Sequence, residues 1–127
     1  MRRSDQRRDA VFAIYQRDVT GRPLEDLLTE AKPFTRDLAL GTAERQDELD
    51  AEIGANARGW TIGRIAPLER AIMRVALFEI HHREEIPMPV AIDEAVSIAG
   101  KYCGTEAPGF VNGILSAIAR QTEEAPA

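Results

Sequence analysis

The sequence predicts an all-α fold in a single domain, and three observations support this prediction. The chain has 127 residues, 44% of them hydrophobic, which suits one domain with its own core and leaves no room for a second. β-Branched residues never alternate with polar residues for long, and no Asn-Gly or Asp-Gly hairpin signal lies between two such runs. Glycine and proline instead divide the chain into segments whose apolar residues recur at helical spacing.

Six helices follow from the positions of these glycines and prolines. They begin or end at the stretches "TGRP", "KP", "RGWTIG", "AP", "IPMP" and "CGTEAPG". The predicted helices cover residues 4–19, 24–31, 34–57, 67–84, 88–102 and 107–121. The last six residues, "TEEAPA", have the composition of a disordered tail. We therefore expect one domain over residues 1–121 and disorder over residues 122–127.

The first predicted helix carries an apolar stripe and a concentrated positive charge. Its stripe consists of Ala10, Val11, Ile14 and Tyr15. The first eight residues contain one aspartate and four arginines, a balance of +3 in a chain whose net charge is −5. These arginines are Arg2, Arg3, Arg7 and Arg8. Arg3 and Arg7 continue the line of the stripe, so we expect them where the buried stripe runs out.

Helix stability does not explain the arginines, because positive charge has the wrong sign for a helix N-terminus. Two interpretations stay open. The cluster is either ordinary charge on a frayed helix end or a surface on which guanidinium groups bind phosphates in bidentate geometry.

The helix predicted over 67–84 is expected at the centre of the domain. It begins at Pro67, which suits a first helical position, and it is apolar over most of its circumference. Only a narrow polar strip remains, formed by Arg70, Arg74 and His81. Glu69 falls beside the apolar faces, where it is either a satisfied carboxylate at the edge of the core or a contact with a partner.

The last predicted helix follows a loop that suits anion binding. Its core face consists of Val111, Ile114, Leu115 and Ile118. Phe110 lies at the start of this helix, where backbone N–H groups are exposed and favour anions. Its ring either extends the core face or stands at the edge as a platform on which an unpaired base can stack.

No catalytic or metal-binding motif is present in the sequence. His81 and His82 in "FEIHHREE" are adjacent, so on a helix they point about 100° apart and cannot close on one ion. Cys103 is the single cysteine and is expected to be a buried or half-buried thiol. The carboxylates of "ERQDELDAE" indicate a solvated helix face. We therefore expect neither an enzyme nor a cofactor.

The sequence also lacks a signal peptide and any run of about 20 apolar residues that could span a bilayer. With a single cysteine that cannot form an internal disulfide, this predicts a cytoplasmic protein.

Five blocks of the sequence, in this order and spacing, resemble the NusB family of bacterial transcription antitermination factors. These blocks are "RRSDQRRDAVFAIYQ", "FTRDLALGT", "LERAIMRVALFEI", "IPMPVAIDEAVSIAGKY" and "GFVNGILSAIA". The resemblance implies a compact all-helical fold of about six to seven helices, with two small bundles packed across each other, and a role that is not enzymatic.

The resemblance also implies partners and site residues. Members of the family bind the boxA element of nascent ribosomal RNA leaders together with the ribosomal protein NusE. With other Nus factors on RNA polymerase, the complex suppresses termination, chiefly Rho-dependent, in ribosomal RNA operons. By position, the RNA-binding residues would be Arg2, Arg3, Arg7, Arg8, Thr105, Glu106 and Phe110. The residues that face NusE would be Tyr15 and Glu69. The free protein could also form a homodimer.

One departure and two alternatives follow from the same comparison. Gly109 stands where family members commonly carry a lysine, so one phosphate contact lacks its side chain here. A similar domain occurs in ribosomal RNA cytosine methyltransferases, and the chain could be an accessory RNA-binding module of such a system. It has no place for the catalytic domain itself. A third interpretation keeps the protein partner and dispenses with RNA.

Overall fold

The computed structural model describes residues 1–124, which form seven α-helices, one short 3₁₀ turn and no strand. The helices are α1 (Arg3–Thr20), α2 (Leu24–Leu27), α3 (Pro33–Glu44), α4 (Gln46–Asn56), α5 (Pro67–His82), α6 (Met88–Tyr102) and α7 (Ala107–Glu124). The 3₁₀ turn, Ile62–Arg64, lies between α4 and α5. The all-α prediction is confirmed. Within the described residues, no helix is both long and apolar enough to cross a bilayer.

Helix α5 is the centre of the molecule, as its pattern predicts. Nine consecutive residues, 71–79, are buried, and α5 contacts α1, α3, α4, α6 and α7. On one side, α1 packs against α3, and on the other, α6 packs against α7. Two small helical groups therefore share one buried helix.

The polar strip of α5 is neutralised by aspartates from two other helices. Arg74 is buried, and its Nε and Nη2 donate to the two carboxylate oxygens of Asp50 in α4, at 2.6 and 2.9 Å. Arg70 and Arg74 both donate to Asp18 near the end of α1, at 2.9 and 3.3 Å. These ion pairs compensate the cost of removing the guanidinium of Arg74 from water.

The prediction of a solvated face for residues 44–52 is therefore wrong for two of its carboxylates. Asp50 binds Arg74, and Glu52 Oε1 lies 2.7 Å from Nε2 of His81. The local sequence does not predict these two pairs, because the basic partners lie 24 and 29 residues further along the chain.

The helix predicted over residues 34–57 is divided at Arg45. Arg45 has φ −111° and ψ 17°, and its N–H donates to the Thr42 carbonyl at 3.2 Å. Residues 42–50 contain no glycine or proline that would indicate a break. The break follows from packing, since α3 lies against α1 whereas α4 lies against α7, and both contact α5.

Two other helices end three or more residues away from their predicted ends. Helix α2 ends at Leu27, four residues before the predicted end. Helix α7 continues to Glu124, so residues 122–124 are helical and not part of a disordered tail. The Thr122 hydroxyl donates to the Ile118 carbonyl at 3.0 Å, one turn earlier, and supports this extension. Residues 125–127 lie outside the described part of the chain.

Gly41 in α3 allows this helix to approach α5 closely. A Cβ at Gly41 would overlap the ring of Phe78, which is buried. We expect Gly41→Ala to lower the free energy of unfolding by about 1–3 kcal/mol, because the ring must leave its position. The control, Gly54→Ala, lies on an open face of α4 and should raise it by up to about 1 kcal/mol through helix propensity. Urea unfolding of both variants measures the difference, and equal stabilisation would contradict the close approach.

Candidate RNA interface

Arg7 does not reach the surface. Its side chain is 7% exposed, and its Nε donates to Glu79 Oε1 of α5 at 2.8 Å. Its Nη1 lies 3.6 Å from Glu94 of α6. The expectation that Arg7 binds RNA is corrected here, because the buried stripe of α1 includes this residue and does not run out before it. Burial raises the pKa of the Glu79 carboxyl, and the bond from Arg7 opposes this effect.

The other three N-terminal arginines lie at the surface in two different settings. Arg3 is exposed, and its guanidinium carbon lies 3.9 Å from the centre of the Phe34 ring, a cation–π contact. The Arg2 side chain is 86% exposed. Arg8 is about one-third exposed, and its Nη2 lies 3.1 Å from Asp9 Oδ1. Arg2 and Arg8 share one cleft, whereas Arg3 faces Phe34.

This cleft, which we name the α1–α6 cleft, has a volume of about 390 Å³ and lies between the start of α1 and α6. Besides Arg2 and Arg8, it is lined by Lys101 and Tyr102 at the end of α6. The Tyr102 ring packs edge-on against Phe12, with centroids 5.1 Å apart. Three carboxylates also line the cleft: Asp5, Asp93 and Glu94.

Lys101 and Tyr102 did not emerge as candidates from the sequence. The only pattern in the sequence that could have indicated them is the dipeptide "KY", a cation next to an aromatic residue at the end of a helix. That pattern becomes specific only when α1 brings Arg2 and Arg8 next to it. Cations beside an exposed ring are the combination that single-stranded nucleic acid requires.

The second part of the candidate interface is a depression around Phe110, which we name the Phe110 pocket. It measures about 280 Å³, and its lining includes Phe110, Trp60, Glu69 and Glu106. Phe110 is half-buried against the core, and its ring meets Trp60 edge-on with centroids 6.3 Å apart. Phe110 therefore extends the core face and also reaches its edge, and its role as a platform for an unpaired base stays a prediction. Thr105 is exposed in the preceding loop.

Glu69 is a half-buried carboxylate without a hydrogen bond or ion pair inside the described residues. Burial raises its pKa.

Cys103 is half-buried as predicted, and burial, with the charge of Glu69, raises the pKa of its thiol. A raised pKa keeps the thiol protonated and makes it a poor nucleophile. Tyr15 is half-buried against the core and does not line the Phe110 pocket.

The model of the NusB family matches residues 4–120 of this sequence. The chain belongs to the NusB family. It is 36% identical over 124 residues to the transcription antitermination protein NusB of Geobacillus kaustophilus, a match that covers 93% of this chain and 95% of that protein. It is 38% identical over 123 residues to NusB of Halalkalibacterium halodurans, over 91% and 92% of the two chains. These relatives agree with the expectation that the chain is not an enzyme.

Solved NusB structures share the fold. The T. maritima NusB structure matches with a TM-score of 0.87 and 29% identity, over 99% of this chain and 94% of that one. A crystal structure of antitermination factors NusB and NusE in complex with double-stranded RNA contains a chain with a TM-score of 0.85. That chain is 24% identical, and the match covers 94% of this chain and 96% of that one, so it shows the NusB fold alone.

The raised pKa of Glu69 predicts a pH-dependent effect of its substitution. Because the folded protein holds this proton more tightly than the unfolded chain, the contribution of Glu69 to stability is complete below pH 4.5 and is lost as the pH rises through the folded pKa. We expect Glu69→Gln to match the wild type at pH 4 and to have the higher melting temperature at pH 7. Glu106→Gln, on the exposed rim of the same pocket, controls for the loss of one negative charge. A lower melting temperature of Glu69→Gln at pH 7 would show that the carboxylate stabilises the fold.

Proposed function

We propose that this NusB family member is an antitermination factor that binds the boxA element of nascent ribosomal RNA leaders together with the ribosomal protein NusE. In this proposal it suppresses termination, chiefly Rho-dependent, in ribosomal RNA operons and acts in the cytoplasm. The observation that carries the proposal is the α1–α6 cleft, which Arg2, Arg8 and Lys101 line together with the exposed Tyr102. Asp5, Asp93 and Glu94 line the same cleft and balance its cations, so the support for RNA binding is the position of exposed cations beside an exposed ring and not an excess of positive charge.

In this proposal the RNA backbone lies along the cations of the α1–α6 cleft. Guanidinium and ammonium groups bind phosphate oxygens without regard to sequence. The rings of Tyr102 and Phe110 offer surfaces on which unpaired bases stack. Thr105 and Glu106 lie exposed just before Phe110, and a hydroxyl and a carboxylate can hydrogen-bond base edges or the ribose 2′-OH.

NusE is proposed to dock at Glu69 in the Phe110 pocket, next to the RNA that contacts Phe110 and Glu106. Support comes from Glu69, whose carboxylate is partly removed from water without a partner in the described residues. A donor supplied by NusE would compensate this desolvation. Tyr15 is proposed as a second contact with NusE. RNA polymerase and the other Nus factors are reached indirectly, and a homodimer of the free protein would be in equilibrium with the complex.

The alternative, an accessory module of a methyltransferase system, receives no support from the relatives. The two NusB proteins are matched over 95% and 92% of their own length and are named as antitermination proteins.

The proposal is tested by titrating labelled boxA RNA over a salt series, with and without NusE. We expect replacement of Arg2, Arg3 and Arg8 by alanine to weaken binding and to lower the salt slope by about 0.7 for each lost phosphate contact. Arg22→Ala is the control, since Arg22 is exposed at the opposite end of α1, roughly 27 Å away. Arg7 is not a useful variant, because removing one member of a buried ion pair costs about 3–5 kcal/mol of stability.

Two outcomes of this titration would contradict the proposal. An unchanged salt slope in the triple variant would remove the arginines from the site. Absence of RNA binding both with and without NusE would favour a protein-binding role that dispenses with RNA.

The glycine at position 109 allows a test by gain of affinity. Gly109 is exposed in the first turn of α7, and a Cβ there would meet no atom within 4 Å. We expect Gly109→Lys to bind boxA RNA more tightly and to steepen the salt slope by about 0.7, through one added phosphate contact. Gly54→Lys adds the same charge on an open face of α4. If the two variants gained equally, net charge and not position would explain the effect.

A further inference from the structure

A larger groove adjoins Phe110, and apart from Gly109 and Phe110 its lining residues have no part in the function proposed above. It has a volume of about 800 Å³ and lies between the end of α4, the following turn and the outer face of α7. We name it the α4–α7 groove. Trp60 and Phe110 line both this groove and the Phe110 pocket, so the two depressions are continuous at these rings.

The chemistry of the groove is cationic. Arg58 and Arg120 line it, and none of its lining residues is an aspartate or a glutamate. This is unusual in a chain with 21 acidic and 16 basic residues. Two amides also line the groove, and Gln121 Nε2 donates to Asn56 Oδ1 at 2.9 Å, which joins the end of α4 to α7. The groove therefore suits an anionic ligand.

The shape of the groove suits flat groups. Its remaining lining residues are almost all small, and they are Ala55, Ala57, Gly109, Gly113, Ile114 and Ala117. Small side chains keep the floor low, so that a planar ring can lie on it. The indole of Trp60 is 52% exposed at the edge of this floor. An exposed large aromatic ring beside cations is a stacking platform for unpaired bases.

We propose that the α4–α7 groove is a second binding track, which takes the single-stranded RNA that flanks the boxA element. Bases stack on Trp60, and Arg58 and Arg120 bind the phosphates. The inference rests on the proposed function, because Phe110 is where the two tracks meet. An acidic protein segment would satisfy the two arginines but would leave the exposed indole without a stacking partner.

The test uses three labelled RNAs with the full chain, with and without NusE. They are boxA alone, boxA extended by a single-stranded uridine tract at either end, and the tract alone. Anisotropy of the label measures total binding. Fluorescence of Trp60, the single tryptophan of the chain, measures stacking at the groove.

Two variants carry the same charge change inside and outside the groove. Gly113→Glu introduces a carboxylate into the groove, at an exposed position where a Cβ meets no atom within 4 Å. Gly54→Glu introduces the same charge on α4, outside the groove and with the same free space. A double variant, Arg58→Gln with Arg120→Gln, removes the proposed phosphate contacts.

For the wild type and Gly54→Glu, we expect one of the extended RNAs to bind about tenfold more tightly than boxA alone. In Gly113→Glu and in the double variant, the extended RNAs should bind no more tightly than boxA alone binds to the same variant. The tract alone should quench Trp60 fluorescence in the wild type and not in Gly113→Glu.

Several results would overturn the inference. One is that the wild type binds the extended RNAs no more tightly than boxA alone. Another is that Gly113→Glu and Gly54→Glu lose the tighter binding of the extended RNA to the same extent. Quenching of Trp60 by polyglutamate as strong as that by the uridine tract would identify a site for acidic protein segments instead. Failure of boxA alone to bind would count against the proposed function. Quenching of Trp60 fluorescence by the tract alone would still show whether the α4–α7 groove binds single-stranded RNA.

Discussion

The buried ion pair between Arg7 and Glu79 fixes the geometry on which the rest of the surface depends. It joins α1 to the central helix, and the second contact of Arg7, with Glu94, joins α6 as well. Burying two charges gains little net stability compared with apolar packing, but it penalises any arrangement that separates them. The pair therefore specifies how α1 lies against α5 and α6, and with it which neighbouring arginines reach solvent.

Along the whole of α5, apolar residues stabilise the core and charged residues determine which helices pack against it. Its apolar circumference supplies the core, and its polar strip selects the partners that pack there, since Arg74 requires Asp50 of α4 and Asp18 of α1. The candidate interface is then built from the ends of helices that this scaffold positions: the start of α1, the end of α6 and the start of α7. Exposed side chains on a rigid frame are what a binding surface requires.

Much of the fold could be predicted from the sequence, because helix position and the central place of α5 depend on local periodicity and on prolines such as Pro67. The break at Arg45 and the burial of Arg7 could not, since both depend on residues distant in the chain, and Glu79 lies 72 residues from Arg7. The candidate site divides in the same way. Charge and motif drew attention to the arginines and Phe110, whereas Tyr102 becomes a candidate only through what the fold brings beside it.

The contact between Arg3 and Phe34 has a consequence for the energetics of recognition. The ring is also approached by Arg7 and Arg83, whose guanidinium carbons lie 5.3 and 5.2 Å from its centre. Arg3 therefore loses rotamer freedom when the chain folds, whereas Arg2, almost fully exposed, retains its freedom until a ligand binds. Two adjacent arginines of the same chemistry thus differ in preorganisation: one meets an anion already ordered, and the other is ordered by it at an entropic cost.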